Sequence, residues 1–177
     1  MKMVLKRVRL SFPQIWKAQQ VNGEGEPAFN ANFIIEDLVT AASVDKVIEQ
    51  VAKDKWGAKA DAHLLAIRSK DKTCLHDGST KDYDGYAGNF FVSARSPTQP
   101  LILDRDKTPL NQISGRPYGG CYVNASVDIY AQDNDFGKRI NAQLRGIQFV
   151  ADGEAFGAGP ASADEFEELD EEEGGLA

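Results

Sequence analysis

Cationic and aromatic residues recur together along this chain at strand-like spacing. Arg7 and Arg9 open the series, and Tyr83, Tyr86, Phe91 and Arg95 follow in the middle. Arg116, Tyr118, Tyr122 and Tyr130 come next, then Lys138, Arg139 and Arg145. Cations can track a row of phosphates, and flat rings can stack on bases at about 1–3 kcal/mol each. Every base has a π-face, so such a surface would hold a single nucleic-acid strand without reading its sequence. The phosphate contribution would make that binding salt-dependent. The same residue types also decorate ordinary solvated sheets, and the pattern by itself leaves both readings open.

Other chemistries have little support. There is no GxxxxGKS/T, no GxGxxG after a strand, no HExxH and no GxSxG. The only histidines are His63 and His76, and nothing near either suggests a general base, so neither catalysis nor a cofactor is expected. Cys74, His76 and Cys121 could supply three metal ligands, but Cys-x-His with one distant Cys is a weak spacing signal for zinc. Two ordinary thiols in a cytoplasmic protein are the expected reading.

The net charge of −7 conceals a division. Residues 151–177 hold ten Asp and Glu and no Lys or Arg, leaving 17 acidic against 20 basic residues in 1–150. A mildly basic body therefore carries a strongly acidic tail. Within the tail, Asp164, Glu165, Phe166, Glu167, Glu168, Leu169, Asp170, Glu171, Glu172 and Glu173 form a carboxylate run with two apolar residues inside it. Like charges this dense repel one another, and a disordered tail is expected. A tethered polyanion would compete with nucleic acid for the basic surface and, once displaced, could recruit protein partners. A plain solubilising role is the simpler alternative.

These residues need elements to position them. Val4, Val8, Leu10 and Phe12 share one parity and Arg7 and Arg9 the other, which predicts a strand ending at Pro13 with one buried and one basic face. Residues 19–28 read as a loop and 29–35 as a strand. Val44, Val47, Ile48 and Val51 predict the core face of one main helix, with Ser43 as N-cap and Gly57 as stop. A short second helix is expected near 61–67. Strands are predicted over 86–95, 101–103, 122–130 and 140–149, the last two joined by a polar hairpin loop at 131–138. Five or six short strands with one main helix suit a small, mainly β barrel over residues 1–150, followed by the tail at 151–177. No run approaches the ~18 apolar residues of a membrane helix, and the N-terminus does not read as a signal peptide.

Several segments are shared with a known family. They are RLSFPQIW (9–16), WG (56–57), YDGYAGNFFVSARS (83–96), YGGCYVNASVDIYAQ (118–132) and RGIQFVADGEAFGAG (145–159), with an acidic end. In these the chain resembles the phage-encoded OB-fold single-stranded DNA-binding proteins, formerly a domain of unknown function. The resemblance implies an OB fold, action in the cytoplasm of an infected host, and roles in DNA replication, recombination and repair. One feature departs from other acidic-tailed binders: the sequence ends GGLA, with Phe166 inside the acid run. The residues leave open a protein-interaction or virion-assembly module, a duplex DNA or RNA target, and a homodimer formed through an edge strand.

Overall fold

The computed structural model describes residues 1–157 and 163–170. Seven strands and two helices follow in the order β1 (Lys2–Val21), β2 (Glu24–Ile35), α1 (Leu38–Trp56), α2 (Ala60–Ser69), β3 (Leu75–Asp77), β4 (Phe90–Ser96), β5 (Leu101–Leu103), β6 (Tyr122–Asn134) and β7 (Gly137–Ala151). Antiparallel ladders join β4 to β2, β2 to β1, β1 to β6 and β6 to β7. A parallel pairing of Arg95 with Gln143 brings β4 against β7 and closes a five-stranded barrel. β3 and β5 extend its rim. The expected mainly β, OB-like barrel with one main helix is the observed architecture.

The barrel interior follows from strand parity where the strands are regular. On β6, Val123, Ala125, Val127 and Ile129 point inward and are fully buried. On β7, Ile140, Ala142 and Leu144 do the same until Arg145 is bulged out between Leu144 and Gly146. Parity then switches, and Ile147 and Phe149 take the inner positions.

β1 departs further from its expected pattern. It runs through Pro13 to Val21 and carries irregularities after Leu5 and after Ser11. Arg7 and Phe12 have positive φ, 50° and 46°. Each extra residue reverses which face the next side chain occupies. Leu5, Val8, Leu10 and Ile15 are therefore buried inside, while Val4 and Phe12, expected inside, are exposed; Ser11, on the outer face, is buried beneath Tyr86.

α1 starts earlier than expected. Asp37, not Ser43, is the N-cap: its carboxylate accepts the Thr40 N–H at 2.7 Å, which holds its pKa below the ordinary carboxylate value. Ser43 lies inside the helix and donates to the Val39 carbonyl. Gly57 does end the helix, at φ 55°. Val44, Ile48 and Val51 of α1, with Leu64 and Ile67 of α2, share one core with the barrel. Truncating Ile48 to Ala would cost about 2–5 kcal/mol. Among the described residues no helix is long and apolar enough to cross a membrane.

The body continues past its expected end at residue 150. Residues 152–157 lie along the barrel: Phe156 N–H bonds the Gly119 carbonyl at 3.0 Å and Gly157 N–H bonds Asp84 at 3.2 Å. Neither Gly120 nor Gly153 can take a side chain, because a Cβ at either would sit 2.2 Å from a backbone oxygen of the other segment.

Candidate nucleic-acid interface

The outer faces of β2 and β4 meet the β6–β7 hairpin across an open groove of about 780 Å³. Its floor is uncharged and internally bonded. Ser93 donates to Asn32 at 2.9 Å, Asn32 donates to the Tyr86 hydroxyl at 2.9 Å, and Asn141 donates to Gln132 at 2.9 Å. Its banks carry cations and rings. Arg95, exposed, donates one bond to the Glu26 carbonyl, and Arg139 has no ion-pair partner among the described residues. Tyr130 is 45% exposed and Phe136, at the hairpin tip, 87% exposed. An apolar ring left in water at a turn beside exposed guanidinium groups is arranged to stack on something flat and anionic.

The hairpin is held from outside. The Trp56 indole N–H at the end of α1 bonds Asp133 at 2.9 Å, and Lys138 approaches the same carboxylate at 3.6 Å. The Trp56 bond, then the nearby Lys138 charge, keep Asp133 below the ordinary carboxylate pKa. At the other bank His76 stacks on Phe91 at 5.0 Å, and its Nδ1 lies 2.8 Å from Asp71.

The expected site residues thus separate into groups. Arg95 and Arg139 line the groove, with Tyr130 beside them. Lys138 borders it, partly engaged by Asp133. Tyr86 and Phe91 do not face solvent, because residues 78–89 fold over the outer faces of β1, β2 and β4. Tyr86 is 1% exposed, packs on Ile34 and Phe91, and donates its hydroxyl to Ser11. Both are corrected from surface contacts to core. Tyr83 remains exposed, edge-on to Phe12.

A second cluster engages Arg7, Arg9, Tyr118 and Tyr122. Arg9 donates to the Gly120 and Glu154 carbonyls at 2.9 and 2.7 Å, and its guanidinium lies 4.3 Å from the Phe156 ring. Arg7 covers the Tyr122 ring at 4.9 Å. A hydrogen bond to the Glu36 carboxylate raises the Tyr122 pKa above the usual phenol value. The Tyr118 hydroxyl donates toward Asp152 and accepts the Gly153 N–H. Arg9 and Tyr118, expected to contact a ligand, clamp residues 152–157 to the barrel. Arg116 pairs with Asp104 at 2.6 Å and covers Phe149. Arg145 sits on its bulge, outside the groove.

Cys74, His76 and Cys121 do not form a metal-binding group among the described residues. Both thiols are buried and free, and burial raises Cys74 to about 12 and Cys121 to about 11. In the acidic segment, Asp164, Glu165, Phe166, Glu167, Glu168, Leu169 and Asp170 are all exposed. Glu171, Glu172 and Glu173 lie outside the described residues.

Phe136 and Phe12 are the functional candidates that sequence reasoning missed. An aromatic inside a tight polar turn (Asn134-Asp135-Phe136-Gly137) cannot be buried by its own hairpin, and that signal was available for Phe136. No such signal exists for Phe12, whose exposure depends on the bulge.

The barrel has known counterparts. The single-stranded DNA-binding protein from bacteriophage Enc34, solved in complex with ssDNA, superposes with a TM-score of 0.74 at 25% identity, covering 88% of this chain and 89% of that one. A C-terminally truncated form of the same protein gives 0.69 over 88% of each. Putative protein p50 of Acyrthosiphon pisum secondary endosymbiont phage 1 is 44% identical over 176 residues, 96% of this chain and 94% of that protein. The family model described as Enterobacter phage Enc34, ssDNA-binding protein, matches residues 1–176. The matching family and the Enc34 protein are ssDNA-binding proteins. With the family model matched over nearly the whole chain and a 44% identical phage relative over the same length, the chain belongs to the Enc34-type family of phage ssDNA-binding proteins.

Proposed function

We propose that this protein binds single-stranded DNA without sequence preference in the groove between β2, β4 and the β6–β7 hairpin. The observation that carries the reading is the pairing of exposed rings, Tyr130 and Phe136, with the guanidinium groups of Arg95, held by one carbonyl bond, and of Arg139, which has no ion-pair partner among the described residues, over an uncharged polar floor. Rings supply sequence-tolerant stacking, and the arginines neutralise phosphates. The family membership and the ssDNA bound to the Enc34 protein support the same ligand. Coverage of exposed strands would serve phage DNA replication, recombination and repair in the host cytoplasm.

The acidic tail acts as an internal competitor. Its carboxylates meet the basic groove at high effective concentration, and DNA displaces them, freeing Phe166 and Leu169 for replication or recombination proteins.

The test is anisotropy of a labelled dT oligonucleotide with duplex competitor, at low and high salt, for the full chain and for residues 1–157. This boundary keeps the Arg9 clamp that a cut at 150 would remove. Salt-sensitive binding that prefers the single strand and tightens on truncation is expected. No binding by either form would move the function to protein interaction, and duplex preference would change the target.

A further inference from the structure

We propose that Phe12, backed by Tyr83, is a second base-stacking station that extends the groove's track across β1. The inference rests on the single-strand reading above. Phe12 sits at φ 46°. That conformation is costly for a bulky non-glycine residue and persists where surroundings impose it, commonly at functional sites. What the bulge achieves is exposure: it turns the ring out of the expected core face to 52% exposed. Tyr83, 53% exposed, meets it edge-on at 4.8 Å.

A buried layer of rings connects the pair to the groove. From Phe12 the rings step to Tyr86 at 6.4 Å, to Phe91 at 4.8 Å and to His76 at 5.0 Å, and His76 lines the groove. Tyr86 also bonds Asn32 on the groove floor, so one rigid layer supports both places. Charge differs between them. Asp82 and Asp84 flank Tyr83, and among the described residues neither Phe12 nor Tyr83 has a guanidinium stacked on it as Tyr122 and Phe156 do. The station therefore takes the face of a base and leaves phosphates to the groove arginines.

The test uses the full chain with Phe12→Gly, Phe12→Trp and Arg139→Ala, on dT oligonucleotides of about 6 and about 16 nucleotides, which bracket one OB barrel's site. Glycine suits the positive φ, so Phe12→Gly should keep or raise the melting temperature. It should weaken the longer oligonucleotide roughly tenfold, spare the shorter one, and leave the salt slope unchanged. Phe12→Trp should restore affinity. Arg139→Ala should weaken both lengths and flatten the slope. Unchanged long-oligonucleotide affinity in Phe12→Gly, equal loss on both lengths, or no rescue by Trp would overturn the station while Arg139→Ala still reports on the groove. Failure of the parent chain to bind either oligonucleotide would instead sink the single-strand reading itself.

Discussion

Arg9 and Arg139 keep similar company, each on a barrel strand among rings and amides, yet their situations are opposite. Arg9 has two carbonyl partners and two rings from its own chain, and it fastens the 152–157 segment to the barrel. Arg139 has no ion-pair partner among the described residues and faces a groove with Tyr130 and Phe136 at its side. Cation-and-ring composition therefore does not distinguish a clamp from a binding surface. What distinguishes them is whether the donors and π-faces are already satisfied within the fold.

The sharpest way to break that contrast is at Tyr86, which belongs to neither surface if the packing is as described. Tyr86→Ala should destabilise the fold by about 3–5 kcal/mol through cavity formation and two lost hydrogen bonds, read as a fall in denaturant midpoint. A stable variant with selectively weakened DNA binding would return Tyr86 to the interface. Next, Phe136→Ala should cost about 1–3 kcal/mol of ssDNA affinity with no change in melting temperature, measured by anisotropy and calorimetry together. Arg9→Ala should show the reverse, a loss of about 1–2 kcal/mol of stability and unchanged affinity per folded molecule. If Arg9→Ala weakens binding at full stability, the clamp is also a contact. The smallest effect is expected from Arg139→Gln: a reduction of about 0.7 in the slope of log affinity against log salt, one phosphate's share.

Much of this fold can be read from the chain because several elements are locally consistent. The clean alternation of β6 and the Val44, Val47, Ile48, Val51 face of α1 each point to one answer, and the structure gives that answer. β1 cannot be read the same way. Two single-residue irregularities reverse its parity, and nothing in VLKRVRLSF marks where an extra residue falls. Tyr86 and Phe91 mislead for a different reason: residues 78–89, Tyr86 among them, fold back over the outer faces of β1, β2 and β4, and the partners that bury the two rings, Ile34 and Ser11, are distant in sequence. The groove was partly legible, through Arg95, Arg139 and Tyr130. Its most exposed ring, on Phe136, lay in a loop that looked merely polar.

The parallel closure of the barrel has a consequence for motion. Every other strand junction in the barrel is a ladder of several pairs, whereas β4 and β7 meet through the single pair Arg95 and Gln143. This thin seam runs beneath the groove, with Arg95 on one edge and Arg139 and Asn141 on the other. Few backbone bonds hold it, so its amides should exchange with solvent faster than those of the β6–β7 ladder. A polymer lying along the groove would stitch the two edges together, slowing exchange there first and making the ligand, in effect, the missing rungs of the barrel.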